Sequence, residues 1–362
     1  MAPLDFKDII LKHYARYPKL EIVDLVKLAY QAEFAGGHFI ADEKAALKRL
    51  EKEYHSLQVA GRGPLFEAIG GGLFRLHLAP LASCGVALAT VNRFFVNTAQ
   101  NWRGEETGLA AKLAVMLECC RQGLLPFEPA KLAAYLEEYN KRGFPPVSHS
   151  EVYRSTYFPA YRVVQACYRN YFPVFAAIDS LQAAQGRVVV AIDGNSGAGK
   201  SSLADLLQAV YGCPVLHMDH FFLTPSLRTA ARLREVGGNV DYERFKKEAF
   251  DRIEQGKPFQ YRIYNCQDES FSLSKELQPT WLTVVEGSYS LHPTLIDGYD
   301  LKIFLEVDET TQSARILARN GPRMHRRFIN EWVPLENEYF EKMGIKEKSD
   351  IVINTADFEK FN

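Results

Sequence analysis

The sequence predicts a chain of two parts: a mainly α-helical first half over 1–185, and an α/β second half over 186–362 built as a three-layer α/β/α stack around a parallel sheet. Three observations carry this. Apolar residues in the first half recur at helical spacing. In the second half, short β-branched runs alternate with helical patterns. Between one such run and one such helix lies a Gly-rich octapeptide, Gly194-Asn195-Ser196-Gly197-Ala198-Gly199-Lys200-Ser201. With 362 residues, 47% of them hydrophobic, the chain can bury two cores.

In the first half, Phe6, Ile9, Ile10 and Tyr14 make one apolar stripe and Ile22, Leu25, Val26 and Ala29 another, which stops at Gly36-Gly37. Asp42 is placed to cap a helix running to about Tyr54. Gly61, Gly63-Pro64 and Gly70-Gly71-Gly72 read as a loop region. Further helices are expected over 81–97, 105–122 and 129–141, the last with Pro129 in its first turn. Ser148 and Glu151 have capping-box spacing and open another helix. The stretch Ser148-His149-Ser150-Glu151-Val152-Tyr153-Arg154, with Tyr161-Arg162, is rich in His, Tyr and Arg; Gly37-His38, Arg75 and His77 are further candidates. These read as a ligand pocket or a docking face, against the alternative of caps and surface contacts. No spacing among them demands metal or nucleophile chemistry.

In the second half, strands are expected at 187–192, 214–218, 281–285, 301–307 and 351–353, and helices at 199–209, 241–255, 309–319 and 335–343. The octapeptide matches G-x-x-x-x-G-K-[ST] between the strand Arg187–Ile192 and the helix that includes Ser202. Glycines let such a loop turn its N–H groups inward and make an anion nest at a helix N-terminus. Lys200 would reach the β- and γ-phosphates of a nucleotide, and the Ser201 hydroxyl would hold Mg²⁺. Ligands of such sheets sit beyond the carboxyl ends of the strands, so the residues leaving those ends are the next candidates. The second strand delivers Asp219, a carboxylate able to accept the proton of an attacking hydroxyl. The third delivers Glu286 beside Gly287, which suits a Mg²⁺ ligand. A rival metal strand is Ile303–Asp308 with Glu309; Asp308 is read instead as a helix N-cap. Arg315, Arg319, Arg323, Arg326 and Arg327 fall within thirteen positions broken by Gly321-Pro322, the pattern of a lid that neutralises a transferring phosphoryl group.

Composition narrows the function classes. The formal charge is +3 over 1–186 and −4 over the remainder, so neither half is a basic surface and nucleic acid is not the expected partner. Six cysteines (84, 119, 120, 167, 213, 266) show no C-x-x-C or zinc spacing and read as reduced thiols. The first residues lack a signal-peptide layout, and no uncharged run approaches the ~20 apolar residues of a membrane span. A cytosolic protein with no membrane partner is expected. A homo-oligomer is compatible with all of this.

Taken together these residues resemble the uridine kinase and phosphoribulokinase family of P-loop kinases. The resemblance covers about 187–356 and rests on Ile192–Ser202, His217-Met218-Asp219-His220-Phe221-Phe222, Asn239-Val240-Asp241, Tyr261-Arg262-Ile263, Val284–Gly287 and Asp300–Leu305, in family order. It implies an α/β P-loop kinase fold that uses ATP and Mg²⁺ on a small-molecule acceptor. It implies also that Asp219 is the catalytic acid, that Asp241 contacts sugar hydroxyls, and that Tyr261 lines the acceptor pocket. Arg315 and Arg319 match the arginines that open the family's lid. Uridine kinases carry a Thr-His-Ser stretch whose His helps read the pyrimidine; this chain has Asn265-Cys266-Gln267 there, which leaves the acceptor open. Chains of this two-part layout look like bacterial uridine kinase-like proteins.

The expected activity is therefore ATP-dependent phosphorylation of a hydroxyl on a nucleoside-like or sugar-like acceptor. Lys200, Asp219, Glu286 and Arg319 would be catalytic, and residues 194–202 with Arg315 and Arg323 would hold the nucleotide. The competing reading is an ATP-gated regulator whose helical half senses a ligand or partner. A GTPase is not expected, since Asn354-Thr355-Ala356-Asp357 lacks the Lys of Asn-Lys-x-Asp.

Overall fold

The computed structural model describes residues 5–36, 40, 42–57 and 63–358. The chain divides into two compact units between Phe172 and Pro173, ahead of the 185/186 division expected from the sequence pattern. The helix Phe172–Gln185 begins at that division.

The first unit contains helices α1 (Phe6–Arg16), α2 (Ile22–Phe34), α3 (Glu43–His55), α4 (Leu88–Asn101), α5 (Glu106–Arg121), α6 (Pro129–Lys141) and α7 (Glu151–Tyr157). The apolar stripes of α1, α2, α5 and α6, with Tyr153 of α7, meet in one core that includes Ile10, Leu25, Val26, Leu109, Met116 and Tyr139. Asp42 caps α3 as expected, accepting from the Ala45 N–H at 2.8 Å. Two expectations fail locally. The helix expected from 81 starts at Leu88, behind a 3₁₀ turn at Ala79–Ser83. The N-cap of α7 is Ser150 rather than Ser148, because Asp24 of α2 fixes Ser150 through both its N–H (3.0 Å) and its hydroxyl (2.7 Å).

The unit also contains a sheet that helical periodicity does not predict. Strands β1 (Phe66–Gly70), β2 (Leu73–His77) and β3 (Tyr161–Gln165) pair antiparallel in that order. The Gly70-Gly71-Gly72 segment, read as loop, is the hairpin turn between the first two, with φ of 100°, 61° and 78°. Glycine takes these angles without the steric cost any other residue would meet. Part of the expected loop, residues 61–62, and the candidate pair Gly37-His38 lie outside the described residues.

The second unit is a five-stranded parallel sheet of order β10-β9-β4-β8-β5, covered by helices. Its strands are β4 (Val188–Gly194), β5 (Val215–His217), β8 (Leu282–Glu286), β9 (Leu301–Glu306) and β10 (Ile351–Asn354). An antiparallel hairpin, β6 (Arg262–Asn265) with β7 (Ser270–Leu273), stands apart from this sheet. Among the helices are α8 (Phe172–Gln185), α9 (Lys200–Tyr211), α10 (Glu309–Arg327) and α11 (Val333–Met343). The helix expected over 241–255 is present as Tyr242–Phe245, a π-type turn at Lys246–Phe250, and Asp251–Gln255. Interior strand β8, between β4 and β5, is buried along its whole length, as a strand covered on both faces must be. No described helix is long and apolar enough to cross a membrane.

Candidate functional site

The site is assembled where β4, β5 and β8 end. Register brings these ends together: Ile192 of β4 and His217 of β5 both pair with Glu286 of β8. Beyond them β4 runs through Asp193-Gly194 into the loop, and the chain re-enters a helix at Lys200. Gly194 sits at φ 131° beside β9, and a Cβ there would collide with the Leu305 carbonyl. Only glycine fits. The first loop residue is anchored by buried Asp193, whose carboxylate accepts from the N–H groups of Gly194 (2.8 Å), Tyr289 (3.2 Å) and Leu291 (3.0 Å) and from the Tyr339 hydroxyl (3.0 Å). Burial outweighs these donors and pushes that carboxyl up to about 6.

Lys200 lies over the loop. Its ammonium donates to the carbonyls of Gly194 (2.7 Å) and Asn195 (3.1 Å) and to the Ser288 hydroxyl (3.2 Å). Ser201 follows on the first turn of α9, with its hydroxyl donating to Glu286 Oε2 at 3.2 Å. The other Glu286 oxygen faces His217 Nδ1 at 2.5 Å, a bond that raises the imidazole above its usual value. Ser201 and Glu286 thus form a pair of hard oxygen donors at the helix N-terminus, the donor type that Mg²⁺ takes. Ser202, next along, is exposed.

Asp219 stands in a 3₁₀ turn immediately after β5. Desolvation raises its carboxyl, Lys200 opposes this, and the carboxylates of Glu286 and Glu336 reinforce it. The residue's surface is exposed, so solvent screens part of the effect. Beside it, the Tyr261 hydroxyl meets His220 Nδ1 at 2.9 Å, and its ring stacks on Phe221 with centroids 5.1 Å apart. Burial pushes the Tyr261 phenol up to about 12 and pulls His220 down to about 4. Asp241 is buried and works locally. It caps Tyr242–Phe245 through the Arg244 N–H (3.0 Å) and faces the Arg244 guanidinium at 3.4 Å. Arg244 in turn donates to the carbonyls of Arg262 (2.6 Å) and His220 (2.9 Å), which ties the Tyr261 segment to the Asp219 turn.

The arginines divide by partner. Arg315 is bound to backbone, donating to the carbonyls of Gly197 (3.2 Å) and Thr355 (2.6 Å). Thr355 itself donates to the Ala198 carbonyl at 2.9 Å, so the pair clasps the loop from outside. Arg319 bonds Asn320 at 2.8 Å, Arg323 is exposed, and Arg327 is paired with Glu331 at 3.0 Å. Between Arg319 and Arg323 the helix breaks at Gly321, whose φ of 73° and ψ of 172° are non-helical. Asp308 caps α10 through the Thr311 N–H at 2.9 Å.

One site residue has no signal in the sequence. Glu336 of α11 is 5% exposed and lies against the loop. Its Oε2 accepts the Ser196 N–H at 3.0 Å, and its Oε1 accepts the hydroxyls of Ser196 and Ser288, both at 2.7 Å. Glu336 and Tyr339 are three residues apart on one helical face, so α11 seats on the loop through both. The distance from Gly194 is more than 140 positions, and nothing short-range marks an acidic residue in an ordinary amphipathic helix.

Residues 189–326 match the model of the Phosphoribulokinase / Uridine kinase family. This segment, less than half of the chain, is similar to that family. It spans the loop, the Asp219 turn, the Glu286 strand and the broken arginine helix, all parts of one P-loop kinase domain. A solved structure described as a possible uridine kinase from Bacillus stearothermophilus is 20% identical, covers 50% of this chain and 98% of its own, and has a TM-score of 0.37. Shikimate kinase from Bacteroides thetaiotaomicron is 13% identical, with coverages of 48% and 89% and a TM-score of 0.27. No curated protein matches the chain.

The candidates of the first unit also come together, far from the P-loop in sequence. His149 bonds Asp24 at 2.8 Å through Nδ1 and the Tyr161 hydroxyl at 2.7 Å through Nε2, and its ring stacks on Tyr153. Arg75, fully buried, donates twice to Gln31 and lies 4.6 Å from the Tyr161 ring. Glu67 accepts from His13 (2.9 Å), Tyr17 (3.2 Å) and His77 (3.2 Å). Arg154 stays exposed, paired with Glu151.

Proposed function

We propose that the protein transfers the γ-phosphate of ATP to a hydroxyl group of a small nucleoside-like or sugar-like acceptor. One observation carries this reading: the Gly-rich loop with its Lys200, the Ser201–Glu286 oxygen pair and Asp219 all lie at the carboxyl ends of three adjacent strands. In such a site the loop and Lys200 hold the phosphates, and Lys200 exchanges its carbonyl partners for phosphate oxygens. Ser201 and Glu286 hold Mg²⁺, which when bound neutralises charge on the β- and γ-phosphates. Asp219 orients the acceptor hydroxyl and takes its proton; a raised carboxyl pKa brings the base closer to neutral pH and improves it. Tyr261 walls the acceptor pocket, and Asp241 holds that wall through Arg244. Arg319 and Arg323 flank the Gly321 break and close over the transferring group, while Arg315 stiffens the loop from behind.

A second reading is favoured by Glu336. A carboxylate on the Ser196 N–H competes with a phosphate for the same donor, as a regulated ATP switch would require. Incubation with ATP, Mg²⁺ and a panel of nucleosides and sugars separates the two. ADP release that depends on one acceptor supports the kinase. ATP binding with only slow, acceptor-independent hydrolysis supports the switch and removes the transfer reading.

A further inference from the structure

Strand β5 ends on His217, and the register of β5 with β8 sets it directly beside Glu286. On its other side Glu286 pairs with Ile192, whose side chain has no polar group to offer. Partners in register share a face of the sheet, so imidazole and carboxylate lie side by side. A slip of one residue would turn the imidazole to the opposite face. The contact is direct: His217 Nδ1 is 2.5 Å from Glu286 Oε1. A carboxylate only accepts, so Nδ1 carries the hydrogen of this bond.

Among the described residues the Glu286 side chain has one other hydrogen-bond partner, the Ser201 hydroxyl on Oε2 at 3.2 Å. The two bonds differ in how they would respond to a metal. Where the Ser201 and Glu286 oxygens both turn lone pairs to Mg²⁺, the hydrogen bond between them is given up. The bond to His217 is then what remains to fix the carboxylate. The outer torsion of a Glu side chain is broad, so a carboxylate without a second anchor samples many orientations. The imidazole is itself packed, its ring meeting that of His220 at 65° with centroids 5.1 Å apart. We propose that His217 is a positioning residue for the metal: its Nδ1–H holds Glu286 in the orientation that presents Oε2 to Mg²⁺. The inference rests on the reading of Ser201 and Glu286 as the Mg²⁺ pair.

The test is titration of the full-length protein with a fluorescent ATP analogue, once in Mg²⁺ and once in EDTA. The ratio of the two affinities measures what the metal adds to binding, with no turnover required. Three variants are compared with the wild type: Glu286→Gln; His217→Phe, which fills the space without a donor; and His217→Asn, whose amide N–H can stand in for Nδ1–H. Mg²⁺ should tighten wild-type binding by more than ~10-fold, and Glu286→Gln should abolish that gain. His217→Phe should cut the gain by about tenfold, the usual cost of losing a partner that orients a metal ligand, and leave affinity in EDTA unchanged. His217→Asn should recover most of it. No gain in the wild type, or a gain that survives Glu286→Gln, overturns the metal pair and the role of His217 with it. A gain lost in Glu286→Gln but kept in His217→Phe overturns the role of His217 alone. So does an affinity that falls equally in Mg²⁺ and in EDTA, or an Asn variant no better than the Phe variant, since either marks a residue that only supports the fold.

Discussion

At the scale of single residues, Lys200 is held by two loop carbonyls and Ser288, none of them negatively charged. Its charge also opposes the raised carboxyls of Asp193 and Asp219, so Lys200→Ala should keep the fold with those carboxyls raised further, while lowering acceptor-dependent turnover by at least ~10²-fold. Far-UV circular dichroism and ADP release measure the two halves of that statement. Most of the wild-type rate surviving in the variant would exclude the loop from the chemistry. Asp219→Asn should reduce kcat by about 10²–10⁴-fold and leave the ATP Kd unchanged, if its proposed role is to take the proton of the acceptor hydroxyl rather than to hold the nucleotide. An unaltered kcat would take Asp219 out of the mechanism. Both residues were legible in the sequence because each lies within a few positions of a strand end. Arg315 was legible as part of an arginine run, but its partners, Gly197 and Thr355, come from distant segments, so its clasp on the loop was not.

At the scale of elements, the decisive feature is α11. Through Glu336 and Tyr339 it reaches the loop and the residue that precedes it. A carboxylate next to bound phosphate repels it, by ~1.4 kcal/mol or more at the effective dielectric of a partly buried site. Glu336→Gln keeps an oxygen for the Ser196 N–H and removes the charge. It should tighten ATP about tenfold, the equivalent of that energy, in a binding titration at constant Mg²⁺. Unchanged or weaker affinity would show that Glu336 is no competitor of the nucleotide. The helices of both units were readable from apolar spacing, and α6 begins and ends where that spacing placed it. The hairpins were not read. Phe66–Gly70 and Leu73–His77 are five residues each, too short to separate from loop, and β3 joins them from more than 80 positions away.

At the scale of the molecule, the first unit is built around buried titratable groups. Burial lowers His13 and His149 to about 4 from the ordinary value of 6.5. Between those values the unfolded chain takes up protons that the folded unit refuses, so stability falls as pH drops from 6.5 towards 4. Each imidazole accounts for on the order of 3 kcal/mol across that window. Glu67, held well below the usual carboxylate range chiefly by its bond to His13 against the cost of burial, extends the loss below pH 4.5. Scanning calorimetry from pH 7 to 4 should show the melting temperature of this unit falling steeply, and His149→Gln should flatten the slope. A melting temperature constant over pH 6.5–5 would contradict the assignment of neutral, buried imidazoles.

The sequence alone determined what is local in the chain: the octapeptide and its flanking strand and helix, the acids that leave the next two strands, the break at Gly321-Pro322, and most helices. Steric limits on backbone angles and the periodicity of side chains act over a few residues, so a few residues suffice to show them. Tertiary structure decided the rest. It set Glu336 against the loop, turned Asp241 into a cap, and joined His149 to Asp24 and Tyr161. Those outcomes depend on which distant segments pack together, and the charge a buried group meets is set by neighbours that no stretch of sequence contains.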